Sequence, residues 1–98
     1  MNELDRHLLK RYAAKYIWWK QPDDALKTPE RVVAQVMDIG DYDDVQALAN
    51  AVGDEYLRHV IEHAEPGMFS CKSWAYWHYR LALCRPGQVP EMPQRKVA

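Results

Sequence analysis

With 98 residues, 48% of them hydrophobic and 28% charged, the chain suits one domain with a modest core and is too apolar for a disordered segment. A formal net charge of −1 excludes a protein that binds polyanions through its overall charge. Two cysteines without a Cys-x-x-Cys pair, and no apolar run long enough for a leader or a membrane span, lead us to expect free thiols and a cytoplasmic protein.

Apolar spacing is helical nearly throughout. From Asn2 to about Trp19, Leu4, Leu8, Tyr12, Ala13, Tyr16 and Ile17 recur at three- and four-residue steps, which predicts an amphipathic first helix. Pro22 opens a short helix through about Leu26. Thr28-Pro29 reads as a capping hydroxyl followed by proline at the first helical position, and Gly40 stops the helix that follows. Asp41 caps a helix through about Val52, and Gly53 and Asp54 break the chain and cap the next one, with Leu57, Val60, Ile61 and Ala64 facing inward. Pro66-Gly67 makes a turn, and Ser70 caps a last helix from Cys71 to about Cys84. The expectation is an all-α, compact single-domain bundle of about five helices with short loops over residues 1–85. Residues 86–98 form a Pro-rich tail, extended or disordered.

The stretch SWAYWHYRLALC, residues 73–84, gathers bulky side chains. Trp74, Trp77, His78 and Leu81 share one helical face, while Tyr76, Tyr79 and Arg80 lie towards other sides. A helix that is aromatic around most of its circumference is expected at the centre of its bundle. Trp18 and Trp19 are adjacent and point in different directions, so one is expected in the core and the other on a second surface. All-core packing is one reading. In the other, part of the set Trp18, Trp19, Trp74, Tyr76, Trp77, Tyr79 and Arg80 forms a partner-binding patch, because Trp, Tyr and Arg carry interface energy.

No catalytic constellation is found. His59-Val60-Ile61-Glu62-His63 spells H-x-x-E-H, and two histidines four apart can grip zinc. They lie off the inward stripe, however, and no third ligand or cleft is in prospect; His59 and His63 are the weak candidates for a metal, and no cofactor is expected. Cys71 and His78 are seven residues apart on one helix, roughly 10 Å, too far for a thiol and its base. A helix-turn-helix at Val33–Ala51 would aim Asp41, Asp43 and Asp44 at phosphates, where a DNA reader needs Lys, Arg, Asn or Gln. Nucleic acid is therefore an unexpected partner.

Charge is unevenly spread. Residues 1–20 carry five Lys/Arg against two Asp/Glu, residues 21–55 two against nine, and residues 56–98 six against three. Asp23, Asp24, Asp41, Asp43 and Asp44 thus belong to an acidic belt suited to a basic partner.

The segments YIWWK, AQVMDIG and PGMFSCKSWAYWHYRL, and a tail with VPEMP and QRK, resemble a family of small uncharacterised bacterial proteins. The similarity spans roughly residues 15–96. Members are often encoded beside nucleotidyltransferase-like toxins of the abortive-infection type. The resemblance implies a non-enzymatic, antitoxin-like partner of such a toxin and lends no catalytic residue. A DNA-binding autoregulator, which would have to bring residues 6–20 and 80–96 together, and a homodimer closed by its own aromatic patch are the competing expectations.

Overall fold

The computed structural model describes residues 3–93, and among them every regular element is a helix. In chain order these are α1 (Glu3–Tyr16), α2 (Pro22–Ala25), α3 (Pro29–Ile39), α4 (Tyr42–Val52), α5 (Asp54–Glu62) and α6 (Cys71–Arg80). The molecule measures 37 × 35 × 21 Å, and its shortest dimension is two helix diameters. No helix among the described residues is long and apolar enough to cross a membrane.

The hub is α3, not the aromatic α6. Val32, Val33, Ala34, Val36 and Met37 of α3 are all buried, and this helix packs against α1, α2, α4, α5 and α6. The reason is steric. Short and β-branched side chains let several neighbours approach one axis, whereas the large rings of α6 fill space on one side only. Trp74, Trp77, His78 and Leu81 do share the buried face of α6 and its end, and Tyr76 and Tyr79 are exposed.

Helix ends depart from the sequence reading in four places. First, α1 stops at Tyr16 rather than Trp19. Ile17 N still donates to the Ala13 carbonyl at 2.9 Å, then Lys20 N closes a turn onto the Ile17 carbonyl at 3.2 Å. Gln21, just before Pro22, is extended (φ −66°, ψ 141°), so α1 and α2 do not join into one helix. Second, α6 stops at Arg80 rather than Cys84. Ala82 takes a left-handed conformation (φ 54°), Leu83 N donates to the His78 carbonyl at 2.9 Å and Ala82 N to that of Tyr79 at 3.2 Å. That pair of bonds is a Schellman motif with alanine in the usual glycine place.

Third, Thr28 makes no capping bond to α3; its hydroxyl turns back towards the Ala25 carbonyl at 3.4 Å. Fourth, Gly53 (φ 81°) is the N-cap of α5, and Asp54 is its first residue. Asp41 and Ser70 cap as expected, each side chain accepting from the backbone N–H three residues on. Gly40 ends α3 in extended, not left-handed, conformation (φ −63°). Its requirement is space: a Cβ there would sit 2.4 Å from the Val36 carbonyl oxygen.

Beyond α6, residues 86–93 are neither helix nor strand. Val89 and Met92 nevertheless pack against the core. Of the tail motifs, QRK lies outside the described residues.

A candidate protein-binding groove

The N-terminal turn of α4 and the outer side of α6 face each other across a groove of about 440 Å³. Met37, Val45 and Trp77 line it with apolar surface, Tyr42 and Tyr76 flank it, and Asp38, Gln46, Ser70, Lys72 and Ser73 add polar groups. Tyr42 is 76% exposed and Tyr76 49%. Neither hydrophobic ring is needed to close the core, and both stand beside the same apolar surface.

Each lining residue is held by identifiable bonds. Trp77 is buried, and its Nε1–H donates to the Met37 carbonyl at 2.8 Å. The last carbonyls of a helix lack intrahelical partners, so this indole satisfies the end of α3 while its ring lines the groove. Asp38 reaches across from α3 to the start of α6. One of its carboxylate oxygens accepts from Ser70 N at 3.0 Å and from the Ser73 hydroxyl at 2.5 Å. This Asp–Ser–Ser cluster fastens the end of α3 to the start of α6.

Arg80 braces the other end of α6. Its guanidinium donates to the Tyr76 hydroxyl and to Gln46 Oε1, both at 3.0 Å, and lies 4.9 Å from the Trp77 ring centroid. The cation is thus spent on orienting Tyr76 and tying α6 to α4.

The other residues singled out by sequence divide as follows. Trp74 and Trp77 are buried, so as whole side chains they do not form an exposed patch; Trp77 contributes only part of the groove lining. Tyr79, 48% exposed, accepts a hydrogen bond from Gly87 N at 3.1 Å and belongs to the tail contact. Trp18 and Trp19 are 80% and 55% exposed. The expectation that one of them enters the core is therefore corrected: α1 ends before them, and the turn carries both outward, edge to face at 5.6 Å. They do not join the groove.

Four of the five aspartates singled out in the acidic belt are ion-paired within the chain. Lys10 meets Asp23 at 3.1 Å, Lys27 meets Asp24 at 3.2 Å, and Lys15 meets Asp41 at 3.0 Å and Asp44 at 2.7 Å. Among the described residues, Asp43 alone of the five makes no ion pair. Asp44 also accepts from the Tyr16 hydroxyl at 2.5 Å. The Lys15 ammonium and then that hydroxyl hold the Asp44 carboxyl below the usual carboxylate range. Asp41 is held low mainly by the Asp44 backbone N–H it accepts, then by Lys15. Burial, with help from Asp44, raises both Tyr12 and Tyr16.

His59 and His63 are exposed with ring centroids 4.2 Å apart, and the His63 Nδ1 lies 2.9 Å from the His59 carbonyl. Among the described residues, no three His, Cys, Asp or Glu side chains gather as a metal site. His78 is buried with its Nδ1 2.8 Å from the Trp74 carbonyl, and Cys71 is exposed at the far end of the same helix.

Sequence reasoning missed Tyr42 and Asp38. Tyr42 sits between two acidic residues at a helix start and offers no periodic signal. Asp38 lies on a half-buried side of α3, and its partners are more than thirty residues away. Comparison with protein-family models, with curated proteins and with solved structures finds no match for this chain.

Proposed function

We propose that this chain is a non-enzymatic protein-binding module and that the Tyr42–Tyr76 groove is its contact surface. The observation that carries the reading is the pair of exposed tyrosines beside the apolar lining of Met37, Val45 and Trp77. Tyrosines braced at the rim of an apolar groove are efficient interface anchors, because they bury much area for little lost rotamer freedom. Arg80 holds Tyr76 in place in advance, which lowers the ordering cost of binding.

The finer reading is an antitoxin-like partner that neutralises a nucleotidyltransferase-type toxin. It draws on the resemblance of YIWWK, AQVMDIG and SWAYWHYRL to proteins encoded beside such toxins. Contact through the groove fits it better than contact through Asp23, Asp24, Asp41 and Asp44, which already face lysines of the same chain.

The test is co-expression of a neighbouring-gene nucleotidyltransferase with this chain, read as growth and as co-purification. Wild type restores growth and co-purifies. The double change Tyr42→Ala/Tyr76→Ala loses both while keeping its helicity by circular dichroism. Failure of wild type to restore growth sinks the toxin reading. Equal rescue by the double variant sinks the groove as the contact.

The exposed Trp18–Trp19 turn favours a second reading, self-association. Light scattering of wild type against Trp18→Ser/Trp19→Ser separates it: a dimer abolished by the change supports that reading, and a wild-type monomer rejects it.

A further inference from the structure

Residues 88–93 follow a tight turn. Gln88 N donates to the Arg85 carbonyl at 3.0 Å across Pro86 and Gly87, and Gly87 has φ 79°. Proline first and a left-handed glycine second is what a type II turn requires. The segment then lies over Trp74. The Trp74 Nε1–H donates to the Pro90 carbonyl at 2.8 Å, and Val89 and Met92 pack on the core. The Trp74 ring is buried, with the Phe69 and His78 rings 5.9 and 4.3 Å away.

The sequence of this strap, VPEMP, matches the contact it makes. Pro90 and Pro93 have no N–H to donate, and their rings fix φ in the extended range. A polyproline-type helix repeats every three residues, which puts Val89 and Met92 on one side and lets Pro90 offer a carbonyl to a donor. An aromatic surface with an indole N–H is the matching receptor in proline-rich peptide recognition. The strap does not fill the surface. A depression of about 280 Å³ remains beside Pro90, lined by Ile61, Glu62, Trp74, His78 and Leu83.

We propose that the Trp74 face is a docking site for an extended, proline-containing segment of a partner protein, and that the chain's own residues 88–93 occupy it as a displaceable strap. The segment it takes has apolar side chains three residues apart and a proline carbonyl between them. Beyond Gln88, the strap's one hydrogen bond to the body among the described residues is that to Trp74. Its hold comes from that bond, from Val89 and Met92 against the core, and from tethering, which raises its local concentration to about the millimolar range of a short linker. A partner segment displaces it by binding more strongly than this tether allows, for instance by also filling the depression beside Pro90. The proposal stands apart from the Tyr42–Tyr76 groove and does not depend on it.

The experiment titrates a fluorescein-labelled peptide, PGQVPEMP, into the full chain and follows anisotropy. The Gly87→Val change strains the turn without touching the site, since nothing lies within 4 Å of a Cβ placed there. The peptide binds this variant at least tenfold more tightly than wild type. Adding Trp74→Phe to Gly87→Val removes the indole donor and weakens binding about tenfold. A peptide with both VPEMP prolines replaced by alanine also loses binding to folded Gly87→Val, which serves as the readout if the Trp74 change unfolds the chain. The proposal is overturned if Gly87→Val, with its Trp74 indole proton shown by NMR to exchange freely, binds the peptide no better than wild type. Equal binding of the alanine peptide overturns it as well. A Gly87→Val chain that dimerises and excludes the peptide assigns the face to a second copy's tail and rejects the partner segment.

Discussion

At Ala82 the chain spends a left-handed conformation on a residue with a Cβ (φ 54°). For an L-residue that region costs roughly 1–2 kcal/mol, whereas glycine enters it freely and loses more entropy on folding. Ala82 is exposed, so the change Ala82→Gly removes strain without opening a cavity. It is expected to raise stability by about 0.5–1 kcal/mol in urea unfolding. A loss instead would show that the Schellman turn is not strained. Trp77 works in the opposite sense. Its Nε1–H is the donor to the buried Met37 carbonyl, so Trp77→Phe leaves that carbonyl unpaired and the ring smaller. The expected cost is about 2–4 kcal/mol, most of it the desolvation penalty of the abandoned acceptor. Trp18→Ser, at an exposed site, shifts stability by no more than about 0.5 kcal/mol.

Between elements, the polar clamp joining α1 to α4 governs the response to pH. Asp41 and Asp44 have carboxyl pKa values lowered by folding. Their contribution is therefore full above the unfolded value of about 3.9 and is lost as pH falls through the lower folded values. Lys15 is raised, first by Asp44 and then by Asp41. Its contribution is full below the unfolded value of about 10.4 and is lost as pH rises through the folded one. Urea midpoints are expected to be flat in this respect near neutrality and to drop below about pH 4. Asp44→Asn should lower the neutral midpoint and shrink the acid drop; an unchanged drop would place the acid sensitivity elsewhere.

The same elements show how far the sequence can be read. The number and order of the helices follow from apolar period and from Pro22, Pro29, Gly40 and Gly53, all local signals. The ends of α1 and α6 do not, because no glycine or proline marks the turn that closes at Ile17–Lys20, and α6 ends on an alanine in glycine's role. The site was partly legible: Tyr76 and Arg80 stand out beside the Trp74/Trp77 stripe. Tyr42 and Asp38 become visible only once α3, α4 and α6 meet. The acidic belt misleads when read along the chain, because Lys10 and Lys15, on a helix counted as basic, fold onto it.

For the whole molecule, the position of α3 decides how the fold comes apart. All five other helices pack on it, and its buried valines are fully enclosed. Opening any α3 amide therefore requires separating α3 from its neighbours, which amounts to global unfolding. By contrast α2 is four residues long, too short to hold itself together, and the strap beyond Gln88 is held to the body among the described residues by one hydrogen bond. Native-state hydrogen exchange should then show the amides of Val33, Val36 and Met37 exchanging slowest, at the free energy measured by urea unfolding. The amide of Met92 should exchange through local opening, and Gly87→Val should speed it without altering the α3 rates. Equal slowing of Met92 and Val36 would mean that the strap is part of the cooperative core, and a strap that opens only with the whole fold cannot be displaced by a partner segment.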